Sequence, residues 1–272
     1  MFDTKEELNK ARSVHYAVGA FNTSNLEVTK AICRAAARFD VPILIATTPS
    51  AIEYAGLKTI FDIVSDEIAH SKIKAAIHLD HGNDFGLIKQ AIEVGYKSVM
   101  FDGSKLPFDE NVHLTERLVE FAHRFDVCVE AEVGVIGHEE GGNLSGASAK
   151  SAPSEVERFI NLTGVDSIAV SVGNEHGAPK GESLDFDLLE RIIEVIDIPL
   201  VLHGASGLSD GDLVEAIAVG VAKINIDTNI RRAFLYQIEN SDEKADYRVA
   251  LTDGMEEVEK VVAKYLSIFS SK

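Results

Sequence analysis

The chain is poor in cysteine, poor in basic residues and without a long apolar run. Its two cysteines in 272 residues, Cys33 in a predicted helix and Cys128 in a predicted strand, show no framework spacing. That excludes a disulfide-stapled scaffold and points to a reducing compartment. Both read as small buried hydrophobes. Lys and Arg number 26 against 44 Asp and Glu, for a formal net charge of -18. A phosphate backbone or an anionic bilayer needs clustered cations, so the expectation is no nucleic-acid and no membrane partner, and any phosphorylated ligand must be gripped locally. No apolar run reaches the ~20 residues that span a bilayer. The opening stretch Met1-Phe2-Asp3-Thr4-Lys5-Glu6-Glu7 carries no apolar signal core, and a soluble, cytoplasmic protein is expected.

What the chain does have is alternation. With 46% hydrophobic residues it can bury a large core, and short β-rich runs alternate with longer amphipathic stretches, the pattern of parallel strands joined by helices. The strands are predicted at Tyr16 to Phe21, Pro42 to Ala46, Ala75 to Leu79, Ser98 to Phe101, Cys128 to Val133, Ser167 to Val172, Leu200 to Leu202 and Lys223 to Ile226. Helices are predicted at Leu26 to Arg38, Leu57 to His70, Phe85 to Val94, Asp109 to Arg124, Ser154 to Leu162, Asp185 to Val195, Ser209 to Val219 and Ile230 to Glu239. Repeats of ~25 to 35 residues with no linker predict one α/β domain over residues 1–272, a (β/α)8 TIM barrel. The tail from Asp246 to Phe269 reads as additional C-terminal helix, with an apolar stripe of Met255, Val258, Val261, Val262, Tyr265 and Leu266. Gly134 to Pro153 and Gly173 to Ser183 are long connections after strands, expected as lids or binding loops on the C-terminal face.

Three histidines, each followed by glycine, end apolar runs: His81 after Ile73 to Leu79, His176 after Ile168 to Val172, and His203 after Ile198 to Leu202. Catalytic zinc takes three protein ligands and leaves one position open, and neutral imidazole suits it. Each histidine alone could equally cap a strand. Glycine at the next position lets the backbone approach a ligand. His78 reads as packing, and His15, His70, His113 and His123 as surface or helix positions. Asp80, beside His81, is placed for proton exchange with a substrate oxygen, and Glu140 could enter the site from the long loop. Asp102 and Glu132, at the ends of the fourth and fifth strands, could hold a second metal position or orient the histidines from outside. His203-Gly204-Ala205-Ser206-Gly207 and Asn225-Ile226-Asp227-Thr228 each run from a strand into a helix start, where barrels commonly grip phosphate; ordinary capped turns are the alternative.

These motifs resemble the class II, metal-dependent ketose-bisphosphate aldolases, the family of fructose-1,6-bisphosphate and tagatose-1,6-bisphosphate aldolases. The resemblance spans nearly the whole chain, from Ala20-Phe21-Asn22 through His78-Leu79-Asp80-His81-Gly82, Ser98 to Ser104, Val129 to Gly134 and Thr163 to Ser167, to Leu202 to Gly207 and Lys223 to Thr228. It implies a lyase of glycolysis or related carbohydrate metabolism that reversibly cleaves a ketose bisphosphate, fructose-1,6-bisphosphate first, to dihydroxyacetone phosphate and glyceraldehyde 3-phosphate. It implies His81, His176 and His203 as Zn2+ ligands, with cobalt or iron as other ions suited to the geometry. Asp80 becomes the acid/base at the C4 hydroxyl and Glu140 the group that removes the C3 proton. Gly177, Lys180, Gly204, Ala205, Ser206, Asn225, Ile226, Asp227 and Thr228 fall around the first phosphate, with a nearby monovalent cation, Na+ or K+, in many members. Asn22 and Thr48 match substrate-side positions, Arg231 is a candidate for the distal phosphate, and Arg248 resembles a residue that in relatives reaches a neighbouring subunit's site. A homodimer or homotetramer follows from that and from the C-terminal stripe.

The chain departs from the family pattern at four places. Asn229 replaces the second aspartate of Asn-Ile-Asp-Thr-Asp, His138 stands where glycine is usual, Gly141 replaces an aspartate, and Pro179 a tyrosine. These bear on the aldehyde half of the substrate, so tagatose-1,6-bisphosphate or another ketose 1-phosphate is the alternative within the class. Outside it stand a non-catalytic sugar-phosphate-binding barrel and a zinc hydrolase. The hydrolase would need His-x-His where this chain has Phe21-Asn22-Thr23.

Overall fold

The computed structural model describes residues 3–134, 150–174, 184–242 and 246–270, and the backbone alone of 137–140, 143–145 and 175–176. After an N-terminal helix α1 (Thr4–Val14), β1 (Val18–Asn22) leads to α2 (Leu26–Phe39), and β2 (Ile43–Thr47) to α3 (Pro49–Ala55) and α4 (Leu57–Ser71). Then come β3 (Ala75–Gly82), α5 (Phe85–Val94), β4 (Ser98–Phe101), α6 (Phe108–Ala122) and β5 (Cys128–Val133). Two short strands, β6 (Gly137–Glu140) and β7 (Asn143–Ser145), precede α7 (Pro153–Thr163), β8 (Ser167–Val170) and a two-residue strand β9 (Glu175–His176). The chain closes with α8 (Phe186–Ile193), β10 (Leu200–Leu202), α9 (Asp210–Val219), β11 (Val221–Ile226), α10 (Thr228–Glu239) and α11 (Tyr247–Phe269). Strands β1, β11, β10, β8, β5, β4, β3 and β2 pair in that order into a closed barrel, the expected (β/α)8 architecture with a long C-terminal helix.

Local chemistry sets the element ends. Asn25 and Asp84 accept hydrogen bonds from Val28 N and Leu87 N at the starts of α2 and α5. Ser209 and Asp212 form a reciprocal capping box on α9, and Pro153 opens α7 while Gly164 closes it in the left-handed region. The barrel's N-terminal mouth is plugged by α1, whose Leu8 and Ala11 pack with Val18, Ala20, Leu44, Ala76, Cys128 and Ala222. Buried Asp166 ties that end together: it accepts from Val129 N at 2.8 Å and lies 2.9 Å from His123 Nε2 and 2.7 Å from Lys5 Nζ. Inside the barrel, Met100, Ala169 and Val201 form a small apolar cluster among polar side chains, Met100 pairing in register with Glu130 and Val201 with Lys223.

Several features differ from expectation. Helices α1 and α3 have no predicted counterpart; α3 starts at Thr48, whose Oγ1 accepts from Ala51 N with Pro49 in the first turn. The long connections contain a small sheet in the order β7-β6-β9, whose strands are too short for a period-2 signal. Tyr16 lies before β1, its hydroxyl bonded to Glu7. The C-terminal stripe is buried within the chain at Met255, Val258, Val262, Tyr265 and Leu266; beyond it Phe269, also buried, lies beside Phe21 of β1 and Tyr265, with ring centroids 6.4 and 5.7 Å away, and its carbonyl accepts from Ala17 N. Phe269→Ala should therefore lower unfolding free energy by about 3–5 kcal/mol, read as a reduced urea midpoint at unchanged m-value.

Candidate functional site

A regular strand sends neighbouring side chains to opposite faces, so Asp80 and His81 could not both reach the barrel mouth by alternation alone. Between Leu79 and Gly82 the pairing of β3 with β4 slips by one residue, and His81 adopts the left-handed region at φ 51°. Such a bulge re-aims a side chain, and for a non-glycine residue the left-handed conformation costs on the order of 1–3 kcal/mol. Gly82 permits the bend, because a Cβ there would lie 2.7 Å from Met100 O. Asp80 points into the barrel, where Asn22 Nδ2 donates to it at 2.8 Å and Asn225 Nδ2 at 3.0 Å. His81 turns to the same mouth.

There His81 Nε2 lies 3.0 Å from His203 Nδ1, and Asp80 Oδ1 is 3.9 and 3.8 Å from these two nitrogens. Two nitrogens each ~2.0–2.1 Å from a tetrahedral zinc would be about 3.3 Å apart. Asp80, His81 and His203 thus offer ligand atoms within 4.8 Å of one another, as do His81, Asp102 and Glu132. The far nitrogens are engaged by carboxylates: His81 Nδ1 by Asp102 Oδ2 at 2.8 Å and His203 Nε2 by Glu130 Oε1 at 2.8 Å. Asp102 is steadied in turn by Ser104 N and Oγ. Carboxylates behind ligating imidazoles fix tautomer and ring orientation, so the donor set fits a divalent ion.

The electrostatics follow from the same contacts. Burial opposes charge on Asp80, but His81, His203, Lys223 and His78 around it hold its carboxyl well below the usual range. It is therefore held as a carboxylate. Burial also opposes charge on His81; Asp80, the Asp102 hydrogen bond and Glu132 outweigh it and hold the imidazole up at about 10. His78 is pushed down to about 3 by burial and by Lys223. It is neutral packing inside the barrel, bonded to Ser98 Oγ at 2.7 Å.

The remaining predicted residues divide. Asn22, Thr48, Asp227 and Arg231 line one cavity of about 560 Å³ with Ser50 and Tyr54; burial raises the Asp227 carboxyl, and its Oδ2 lies 2.8 Å from Arg231 Nε. Asn225, grouped by resemblance with the phosphate positions, turns its amide to Asp80 instead. The Oδ1 atoms of Asn22 and Asn225 are buried without a hydrogen-bond partner among the described residues. Gly204 takes the left-handed region at φ 65° and opens a single 3-10 turn, Ala205–Gly207, while Thr228 begins α10. The Ala205 and Ile226 side chains are buried in the core, so only their backbones can meet a ligand. Asn229 donates to Ser206 O at 3.0 Å and to the Tyr265 hydroxyl, tying that turn to α11. Arg248 pairs with Asp246 at the start of α11. The backbone of His176 pairs with that of His138 between β9 and β6, and Glu140 pairs with Asn143. The side chains of His176 and Glu140, and all of Gly177 and Lys180, lie outside the described residues. Glu130, Lys223 and Asn174 escaped sequence reasoning; Asn174 donates to His203 O at 3.0 Å. Their signal was an inward position on a strand or loop, which separates no polar core residue from a functional one.

A closed parallel barrel with imidazoles and carboxylates converging at its C-terminal mouth defines a barrel enzyme with a divalent-metal-competent centre. The family model described as class-II fructose-bisphosphate aldolase matches residues 2–272, and the chain belongs to that family: it is an aldolase, a lyase. Similar solved structures are the YdjI aldolase from Escherichia coli K12, 28% identical, covering 100% of this chain and 98% of its own with TM-score 0.89, and a putative fructose-1,6-bisphosphate aldolase from Coccidioides immitis, 28% identical, covering 98% and 96% with TM-score 0.91. A fructose-bisphosphate aldolase from Campylobacter jejuni, 22% identical over 97% of this chain and 93% of its own at TM-score 0.81, shares the fold.

Titration of the metal-free protein with Co2+ should produce a visible ligand-field band. His203→Ala should abolish it, and Asp102→Ala should weaken Co2+ affinity about 10–100-fold. Unchanged Co2+ affinity in both variants would mean that these side chains do not bind metal.

Proposed function

We propose that this protein is a zinc-dependent aldolase that reversibly cleaves fructose-1,6-bisphosphate to dihydroxyacetone phosphate and glyceraldehyde 3-phosphate, residues 1–272 acting as one domain. The observation that carries the reading is an ionised Asp80, clamped by two asparagine amides within 4 Å of the two imidazole nitrogens that face the mouth. His81, His203 and His176 would hold the zinc, with Asp102 and Glu132 behind them or at a second metal position. When bound, zinc supplies a Lewis acid for the negative charge that develops on the ketose oxygens as the C3–C4 bond breaks.

The chain's own groups do the rest. Asp80 takes the C4 hydroxyl proton during cleavage and returns it during condensation, and Glu140 exchanges the proton at C3. The unpartnered Oδ1 atoms of Asn22 and Asn225 suit substrate hydroxyls. Backbone amides of Gly177, Gly204, Ala205, Ser206, Ile226, Asp227 and Thr228, with Lys180 and a monovalent cation (Na+ or K+), would take the first phosphate. This lets a protein of net charge -18 hold an anion, since helix starts and left-handed turns present N–H groups without adding side-chain charge. Arg231 faces the cavity on the aldehyde side and is assigned the distal phosphate. Arg248, three-quarters exposed, is assigned to a neighbouring subunit's site in a cytoplasmic homodimer or homotetramer. Asn229 does not contribute a carboxylate on the aldehyde side, which keeps tagatose-1,6-bisphosphate as the second reading.

Cleavage should vanish on treatment with a chelator, return with Zn2+, and survive borohydride in the presence of substrate. Persistence in fully metal-free enzyme would sink the reading. Asp80→Ala should keep its zinc and lose kcat by about 10²–10⁴-fold; near-normal turnover would remove Asp80 from its role. Side-by-side kcat/KM for the two C4 epimers decides the sugar, because the wrong epimer places its hydroxyl away from Asp80.

A further inference from the structure

Beneath the mouth, the barrel interior carries an ion pair to which the chemistry above assigns no step. Lys223 on β11 and Glu130 on β5 meet across the interior, Nζ to Oε2 at 2.7 Å, with side chains 0% and 1% exposed. Taking such a pair out of water costs several kcal/mol per ion, and apolar side chains of similar volume often stabilise as well or better. The neighbouring Met100, Ala169 and Val201 fill their layer in that apolar way. Stability alone therefore gives no reason for this pair.

Its second contact gives one. Glu130 Oε1 is 2.8 Å from His203 Nε2, while His203 Nδ1 faces His81 and Asp80. A carboxylate accepts hydrogen bonds and does not donate, so Nε2 bears the proton and Nδ1 keeps its lone pair directed at the mouth. His81 is held in the opposite sense, Nδ1 to Asp102 and Nε2 to the mouth. Asp102 lies near the rim and is fixed by Ser104. Glu130 lies deeper, and Lys223 supplies the counter-charge there. Lys223 is itself located by His78 Nε2 at 3.4 Å, on a ring already bonded to Ser98.

We propose that Glu130 and Lys223 are positioning residues for His203: the buried ammonium anchors the carboxylate, and the carboxylate imposes the tautomer that presents Nδ1 to a divalent metal. The tautomer follows from the contacts alone; its use in holding zinc rests on the function proposed above. Two double variants separate positioning from mere packing. Glu130→Leu/Lys223→Met removes both charges and the acceptor, and should fold with a melting temperature at or above that of Lys223→Met yet bind Zn2+ about 10–100-fold more weakly than wild type. Glu130→Gln/Lys223→Met keeps an acceptor oxygen for Nε2–H and should stay within about threefold of wild type. Equal zinc affinity in the two doubles would overturn the proposal. The arm that needs no variant is ¹⁵N NMR of the metal-free wild type, where His203 should carry its proton on Nε2; a proton on Nδ1 overturns the proposal even if neither double variant folds. Wild-type protein that binds no zinc would refute the functional reading instead, with the tautomer still decided by the spectrum.

Discussion

The active mouth depends on one backbone conformation. A buried carboxylate and a metal-competent imidazole adjacent in sequence would point to opposite faces of an ordinary strand. The one-residue slip in β3 and the left-handed His81 bring both into the mouth, and Gly82 lets β4 stay in register because nothing beyond its Cα meets Met100 O. The strain is held by contacts on every side: His81 is engaged by Asp102, and Asp80 by asparagines from β1 and β11. Strain of a few kcal/mol persists when the surroundings over-determine it.

A second constraint runs down the barrel axis. Most barrels of this kind fill the interior with branched apolar side chains; here a small apolar cluster, Met100, Ala169 and Val201, is interleaved with buried polar side chains. Several of the inward polar groups are fixed by another from a different strand: His78 by Ser98, Lys223 by Glu130, Glu130 by His203. Stacked in this way, the barrel hands charge from its interior to its mouth, and the imidazoles inherit orientation from residues that no substrate can touch. The same economy applies to the proposed anion site. With 44 acidic side chains against 26 basic ones, local N–H groups at Gly204 and the start of α10 are a more available source of positive potential than the surface as a whole.

Much of this architecture is legible in the order of the residues. The eight barrel strands fall within a few residues of their expected bounds, because short apolar runs set between longer amphipathic stretches leave few alternatives. Asp80, His81 and His203 stand out by residue type and by position at strand exits. The short β6, β7 and β9 are not legible, since two to four residues are too few to show a period. Nor is Asn225's role: its place near the end of a strand fits a phosphate loop as well as it fits a clamp on Asp80, and only the closed barrel, which brings β1, β3 and β11 to one mouth, distinguishes them.

Glu130 and Glu132 mark the limit of what residue order can say. Both are inward carboxylates two residues apart on β5, equivalent to any reading of periodicity, composition or charge. Closure of the barrel sets His203, 73 residues away in sequence, above one of them and the His81 and Asp102 cluster beside the other. The alternating βα architecture and the kinds of ligand at the strand exits are written locally, because periodicity and residue chemistry act over a few neighbouring positions. Which carboxylate orients which imidazole is settled by the folded barrel, because those contacts exist only once separated strands share one interior.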